Sequence, residues 1–598
     1  LTGSAAVWKK PAARWHLPQF RPVPCAEMAA ALDIPTLMAA VLLHREFTIG
    51  SAREFLSPGI EGLHDPFLMA DMAAAVDRLR AAIQRREPVL LYGDYDVDGT
   101  SSIVVLKKAI EILGGCAGFH IPHRLKDGYG MRSEVIDKAA QEGVRLIVSV
   151  DTGIRAGEVV RHAKALGIDV IVTDHHLPES ELPPALAVLN PNRTDCNYPN
   201  KNLCGAGVAF KLVQALLTRS GMAAARQAAL LDSFLKPAAI ATVADIVPLT
   251  GENRVIVQRG LSGLRNVKNH GLRALMMVAG LDEGEPPSAH EVAFRLAPRI
   301  NAAGRMATAK DVIELFLTDD AARAQELAGH LDTLNRERQQ VEAEIVEAVV
   351  KQCEESAGAT DRAAFVFAGE GWHLGVLGIV ASRLVEKLGR PVFVLSNASS
   401  TDESLGPCLS GSGRSIPGFH LLNALESMPE LFAKFGGHKQ AAGLTLPCDR
   451  VREFQERFHL HAAGILTEED KRPLYRADAE ASFAELTDDC VAQLQRLGPF
   501  GFGNQAPLFY VQGAEVAGPL KVLREGKHFS VPLRHAGRVL SCKAWNFGER
   551  RELLEQGQRL DVLMQIEDDA YSRKRGYAPW SLVLKDVRVT TSGTEARA

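Results

Sequence analysis

Several features are missing from this chain of 598 residues, and each absence excludes something. Its nine cysteines (25, 116, 196, 204, 353, 408, 448, 490 and 542) are scattered, and no two stand as Cys-x-x-Cys. That argues against a zinc ribbon and a disulfide framework. It fits a reducing compartment, so a cytoplasmic protein is expected. No run of about 18 apolar residues occurs, so no membrane-spanning helix and no membrane role are expected. A positive surplus is missing too: the net charge is −4. Any grip on nucleic acid must therefore come from local patches. The start, Leu1-Thr2-Gly3-Ser4, carries neither an initiator Met nor a signal-peptide pattern, and reads as a truncated or processed end.

What is present suits a soluble multidomain protein. The composition is 46% hydrophobic and 23% charged. The length allows roughly three or four domains. One stretch organises the rest: Leu91-Tyr92-Gly93-Asp94-Tyr95-Asp96-Val97-Asp98-Gly99-Thr100. A short apolar strand ends in three carboxylates at alternate positions, and a helical pattern follows through Ile103, Val104, Leu106 and Ile110. Ligands of open α/β sheets sit beyond the carboxyl ends of the strands. Three anions crowded there need a cation, and oxygen ligands suit Mg²⁺ or Mn²⁺. An EF-hand loop also begins Asp-x-Asp-x-Asp-Gly, but its twelfth position, a bidentate Glu, is Val105 here.

From Met72 to about Leu249 strands and helices alternate. Strands are expected over 88–93, 118–122, 145–151, 168–174 and 186–190. Helices are expected over 72–85, 101–113, 133–142, 156–166 and 206–218. That pattern predicts a doubly wound α/β domain with a mostly parallel sheet. Two further strand ends carry chemistry, Asp151-Thr152-Gly153 and Asp174-His175-His176, and an apolar helix over 237–244 leads to Asp245. Adjacent residues of an extended segment point opposite ways, so His175 and His176 are not expected on one ion. His175 is assigned to metal and His176 to a different role. Asp94 is either a ligand or a carboxylate orienting one. Asp174 is expected to fix a His tautomer or the turn.

These four motifs, in this order and spacing, resemble those of the DHH phosphoesterase family. Three later motifs narrow the resemblance to its bacterial single-strand-specific DNA exonucleases: Pro298-Arg299-Ile300-Asn301-Ala302-Ala303-Gly304-Arg305-Met306, Ser410-Gly411-Ser412-Gly413-Arg414-Ser415, and Phe435-Gly436-Gly437-His438 with Ala441-Ala442-Gly443. The resemblance runs from about residue 55 to the C-terminus. It implies two Mn²⁺ or Mg²⁺ ions held by Asp96, Asp98, Asp151, His175 and Asp245, with Asp151 bridging. It implies 5′ to 3′ degradation of single-stranded DNA to mononucleotides in repair and recombination. Single-strand binding protein and a helicase are candidate partners, and a monomer is expected. Asp98, Asp151 and His176 are the expected catalytic residues, with His176 assigned to the scissile phosphate or leaving oxygen. A hydrolase of short oligonucleotides or cyclic dinucleotides is the alternative, but it would not need the C-terminal barrel described below.

Phosphate handles are expected around this core. Arg124 precedes Gly128-Tyr129-Gly130, and Arg299, Asn301 and Arg305 flank a glycine turn. Arginine's planar fork suits bidentate contacts. Gly411 to Ser415 reads as a glycine-rich loop whose amides cradle phosphate, with Ser412, Arg414 and Ser415 as contacts. Gly436, Gly437 and His438 are expected across a cleft from the metals.

The expected domains are an N-terminal adaptor (1–65), a catalytic domain (66–317), a connecting helix (318–355), a DHH-associated α/β domain (356–465) and an OB-type barrel (466–598). In the adaptor, helices are expected over 26–32 and 36–46. Trp8-Lys9-Lys10 and Arg14-Trp15 read as a loosely ordered tail. The connecting helix has a heptad-like seam of Leu327, Leu331, Leu334, Val341 and Ile345, interrupted at Arg338. In the barrel, residues 521–550 hold seven Lys or Arg against two Glu, a net charge of +5. Phe529, Trp545 and Phe547 interleave, which is the pattern of a single-strand groove.

Overall fold

The computed structural model describes residues 12–590 apart from 20, 125–126, 129, 282–283, 356–360, 398–406, 525, 570–571 and 574. Two compact units emerge. One takes in Glu61–Pro473; the other joins Ala13–Ile60 to the chain from Leu474 onward. No single helix among the described residues is long and apolar enough to cross a membrane.

The first unit is built on five parallel strands: β1 (Pro88–Gly93), β2 (Cys116–His120), β3 (Leu146–Val150), β4 (Asp169–Thr173) and β5 (Ala187–Leu189). Their order is β2-β1-β3-β4-β5. Continuous Val, Leu and Ile runs suit strands covered on both faces, and Leu91 of β1 lies level with Phe119 of β2 and Val148 of β3. The helices α1 (Met72–Arg85), α2 (Val97–Ile112), α3 (Ser133–Gln141), α4 (Gly157–Ala165) and α5 (Gly205–Thr218) provide the cover. After β1 the chain passes to β2 on one side and later to β3 on the other. The crevice of a doubly wound sheet therefore opens at the carboxyl ends of β1 and β3. A 21-residue helix, α6 (Ala224–Ala244), packs on α2 and α5 and ends at Asp245.

The motif 298–306 is not a glycine turn. It lies on helix α7 (Ala297–Met306), with Pro298 in its first turn. Gly304 is there for close approach: a Cβ at that position would sit 2.4 Å from the Tyr95 carbonyl oxygen. The long helix α8 (Ala321–Glu355) has 35 residues, about 52 Å at 1.5 Å per residue. Leu327, Leu331 and Leu334 belong to the core of the parallel-sheet domain. Ile345, Val349 and Cys353 belong to a second core with Phe365, Val376 and Leu377. The seam thus changes partners at Arg338. There a buried polar group takes over: Arg338 donates to Glu342 (3.0 Å) and Asn335 (2.9 Å).

The second core covers a mixed sheet of β6 (Phe365–Gly369), β7 (Val392–Asn397), β8 (Cys408–Arg414), β9 (Lys434–Gly437) and β10 (Ala441–Pro447), in the order β9-β10-β8-β7-β6. Helix α9 (Leu377–Leu388) packs on β7 and β8. The run 411–414 is therefore strand, not a phosphate-cradling loop. Strand β8 is paired along its length on both sides. Its glycines make room: a Cβ on Gly411 would meet the Val394 carbonyl at 2.1 Å, and one on Gly413 the Phe393 ring at 2.4 Å.

In the second unit β11 (Phe509–Val516), β12 (Lys521–Arg524), β13 (His528–His535), β14 (Arg538–Ala544), β15 (Arg559–Asp568) and β16 (Trp580–Val589) form one sheet. The pairing of β11 with β13 closes five of them, β11-β15-β16-β14-β13, into a barrel. The helices Pro22–Leu32 and Thr36–His44 add Met28, Leu37, Met38, Val41 and Leu42 to the barrel core. Trp8-Lys9-Lys10 lies outside the described residues. Arg14 and Trp15 are not a loose tail. Strand Arg14–His16 pairs with Leu474–Arg476, the Trp15 indole donates to Asp586 (2.6 Å), and Arg588 covers the ring at 4.1 Å.

The single-strand groove expected over 521–550 is largely consumed by the barrel itself. Phe529 and Phe547 are buried in its core, and only Trp545 is exposed. Phe529 alternates inward with Val531 and Leu533 on β13, as strand periodicity dictates. Four of the basic groups have protein partners: Arg534 with Glu515, Lys543 with Asp569, Arg550 with Asp586, and Arg538 with the carbonyls of Phe483 and Leu486.

Candidate metal centre

The turn after β1 delivers the first carboxylates. Asp96 caps α2, its Oδ1 accepting from the amides of Asp98 (2.9 Å) and Gly99 (3.0 Å). Gly99 is required because a Cβ would sit 2.5 Å from the Asp94 carbonyl oxygen. Asp98, buried in the first turn of α2, accepts from the amides of Gly205 (2.6 Å) and Ala206 (2.7 Å), where α5 begins. Gly205 also packs on Asp151, whose Cβ would be only 2.7 Å from one added there. Asp151, just beyond β3, holds a left-handed φ of 57°.

His175 sits among three of these carboxylates. Its Nε2 lies 3.2 Å from Asp151, 3.7 Å from Asp98 and 3.7 Å from Asp245. Asp94 and Asp96 share a second group with Asp151. All six expected metal residues are thus brought to the carboxyl edge of the sheet, in overlapping sets whose ligand atoms lie within 4.8 Å of one another.

The two histidine rings do not point opposite ways. Their centroids are 4.5 Å apart, and His176 lies within reach of Asp151 as well. The reason is local. Strand β4 ends at Thr173, and Asp174 curls the chain by accepting from the amides of His175 (2.8 Å) and His176 (3.1 Å). Asp174 also accepts from the Ile154 amide (2.9 Å) and bonds His176 Nδ1 (2.7 Å), which fixes the orientation of that ring. Asn190 and Asn192 donate to the carbonyls of His176 and His175 (2.9 and 2.6 Å).

The electrostatics show what this arrangement needs. Burial, then the charge of Asp96, pushes Asp94 up to about 8. Burial, then Asp98, pushes Asp245 up to about 9. Asp151 and Asp98 are also raised, chiefly by burial. Burial keeps His175 below its ordinary value, hence neutral and able to ligate. Burial opposes protonation of His176, but the bond to Asp174 together with the charges of Asp174, Asp98 and Asp94 raises the pKa. Asp94 Oδ1 is buried with no hydrogen-bond partner among the described residues. Buried carboxylates normally find donors, so an orphan oxygen beside four other anions fits a pair of divalent cations.

A second group of residues is cationic. Arg305 donates to the Gly375 carbonyl (3.0 Å). Burial, then repulsion from Arg124, Arg338 and Arg414, holds its pKa down to about 10. Arg414 is depressed by burial and by Arg124, and a Cβ on Gly378 would meet its guanidinium at 3.0 Å. Arg124 stacks on the Tyr95 ring at 4.9 Å. Guanidiniums gathered beside the Asp94 and Asp96 carboxylates suit an anion of several oxygens.

Other expected contacts are placed differently. Arg299 pairs with Asp332 (2.9 Å) and so ties α7 to α8. Asn301 Oδ1 accepts from the Val97 amide (3.2 Å), holding the Asp turn. Ser412 lies in β8 and Ser415 bonds the Phe419 carbonyl (3.0 Å). Gly436 and Gly437 end the edge strand β9, and the exposed His438 follows, its amide on the Ala441 carbonyl (2.8 Å). Tyr129 lies outside the described residues. The sequence reading missed Gly205, Ala206, Asn190 and Asn192. Only the glycine at the start of an apolar helix gave a signal for any of them.

A parallel sheet with carboxylates and a His pair at its strand ends, followed by a long helix and a second α/β domain, defines a phosphoesterase of the DHH class. The matching family models agree: the DHH family N-terminal domain over residues 88–242, the DHHA1 domain over 360–463 and the RecJ OB domain over 477–578. The Bacillus subtilis single-stranded-DNA-specific exonuclease RecJ is 37% identical over 578 residues, covering 96% of this chain and 71% of that protein. The Thermus thermophilus RecJ is 35% identical over 581 residues, covering 97% and 80%. The crystal structure of the Thermus protein with Mn²⁺ superposes with a TM-score of 0.80 at 30% identity, over 97% of this chain and 80% of that one. The chain belongs to the RecJ family.

Proposed function

We infer that the protein is a metal-dependent exonuclease that hydrolyses single-stranded DNA from the 5′ end, releasing mononucleotides. The observation that carries this is the gathering of Asp94, Asp96, Asp98, Asp151, His175 and Asp245 at one sheet edge, with Arg124, Arg305 and Arg414 in one cationic group. A pair of divalent ions supplies an activated water and charge for the leaving oxyanion. The carboxylates and His175 hold the ions, with Asp151 shared between them. His176, oriented by Asp174, presents Nε2 to the scissile phosphate or leaving oxygen. The arginine group takes the terminal phosphate, which sets the 5′ to 3′ direction. Gly436, Gly437 and His438 line the opposite wall.

We take residues 66–317, 318–355 and 356–465 as the catalytic portion and 466–598 as the portion that holds the strand. Residues 13–60 belong with the latter, since they share its core. The barrel argues against substrates as small as cyclic dinucleotides. A cytoplasmic monomer working with a single-strand binding protein and a helicase completes the reading.

The test is digestion of single and double strands labelled at the 5′ or the 3′ end, in Mn²⁺ with and without EDTA. We expect chelator-sensitive release of the 5′ label as mononucleotide from single strands alone. Release of the 3′ label first would overturn the polarity.

A further inference from the structure

Ile246 is in the wrong conformation for its residue type. It follows Asp245, the C-cap of α6, and its φ is +58°. This is the position where helices ordinarily end in glycine, because a Cβ is costly there. A β-branched residue in the left-handed region is a true outlier. The surrounding chain enforces it. Val247 packs on Cys204, Ala206 and Ala241, and Asn253 donates to the Pro248 carbonyl (3.0 Å). Yet the Ile246 side chain is 67% exposed, so the strain brings no core packing.

Leu177 shares the exposure, though not the backbone strain. It follows His176, is 62% exposed, and is held by Arg155, which donates twice to its carbonyl (3.1 and 3.2 Å). His175 Nε2 and Asp245 Oδ2 lie 3.7 Å apart. The two exposed apolar residues therefore each follow, by one position in the chain, a member of one carboxylate–histidine cluster. Strain retained at such a place is a sign of function.

We propose that Ile246, with Leu177, forms an apolar lip that takes the apolar face of the nucleotide whose phosphate lies at the cluster, either its base or its deoxyribose. This rests on the exonuclease reading above. Phosphates are served by the cationic and metal-holding groups, so the uncharged face of the nucleotide is what remains for an apolar rim. Such a contact tolerates any sequence, since every base offers an apolar face.

The experiment compares the full-length Mn²⁺ enzyme with Ile246→Gly and Ile246→Val on a 5′-phosphorylated single strand. It reads thermal midpoint, Mn²⁺ titration, KM and kcat. In Ile246→Gly the midpoint should rise, because glycine relieves the backbone, and Mn²⁺ binding should hold. Its kcat/KM should fall about tenfold, the effect of one lost apolar contact. Ile246→Val should recover most of that loss. The Mn²⁺ titration checks that relief of the strain has not displaced Asp245, the neighbouring residue. A strand abasic at its first two positions separates the sources. If the base is held, the abasic strand costs the wild type much and Ile246→Gly little; if deoxyribose, it costs both alike. Two outcomes overturn the proposal: Ile246→Gly within about twofold of wild-type kcat/KM, or a loss accompanied by a lower midpoint or weaker Mn²⁺ binding. A wild type that turned over no strand would instead sink the exonuclease reading, and the lip with it.

Discussion

Asp94, Asp98, Asp151 and Asp245 are carboxyls held against their own preference. Burial and mutual repulsion raise them from an ordinary value of 3.8, Asp94 to about 8 and Asp245 to about 9. Their folded-state pKa values exceed the unfolded ones, so the folded state binds more protons between these limits. Without metal, the contribution of these carboxyls to stability should therefore be full below about pH 4 and be lost as pH rises through about 9. Mn²⁺ should abolish that loss. Thermal midpoints in EDTA and in Mn²⁺ across this range decide the matter, and a flat profile in EDTA would refute it. The histidines should divide likewise. His175→Ala should weaken Mn²⁺ binding, whereas His176→Ala should lower turnover with binding nearly intact, and Asp174→Asn should mimic His176→Ala more weakly. Isothermal titration of the three variants shows it; equal losses of affinity would contradict the division. At this scale the sequence was legible in the six acidic and histidine residues that the structure gathers at one sheet edge. It was not legible where backbone amides served, as at Gly205 and Ala206, or where a turn overrode strand alternation, as at His175 and His176.

Helix α8 serves two cores, and its buried polar group marks where one gives way to the other. Glu342 is fully buried against Arg338 and also pairs with Arg383 from α9. Replacing Glu342 with Gln would leave Arg338 buried without its anion, at a cost of about 3 kcal/mol. Denaturant midpoints measure it, and an unchanged midpoint would mean that Arg338 is adequately hydrated. The interruption at Arg338 was visible in the sequence, but not its meaning, since a heptad seam does not say which partner each half meets. Parallel strands with unbroken Val, Leu and Ile were readable almost to the residue. Glycine-rich segments misled. Runs such as 411–414 and 301–305 look like turns, but they are strand and helix whose glycines admit Val394, Phe393 and Tyr95 at distances a Cβ forbids.

At the scale of the molecule, the metal centre lies within residues 94–245 and the barrel far along the chain. A chain spanning residues 61–473 should still hydrolyse oligonucleotides of a few bases, but should bind long strands weakly and leave them early. Each phosphate contact on a single strand contributes roughly 0.7 to the salt slope. At least four of the seven basic residues in 521–550 are tied to protein partners, so truncation should lower the slope by less than the roughly 5 that seven contacts imply. Degradation of short and long strands by both chains across a salt series tests this. If the short substrate slowed as much as the long one, the barrel would belong to the catalytic machinery.

The central claim is that the carboxylate cluster hydrolyses single-stranded DNA through bound divalent ions, with Asp151 common to both ligand groups. The most direct test is turnover of a 5′-labelled single strand in saturating Mn²⁺ by the wild type and by Asp151→Ala, with circular dichroism confirming the fold of each. The account predicts that wild type degrades the strand and that Asp151→Ala, though folded, does not. Activity of Asp151→Ala within about tenfold of wild type would contradict it.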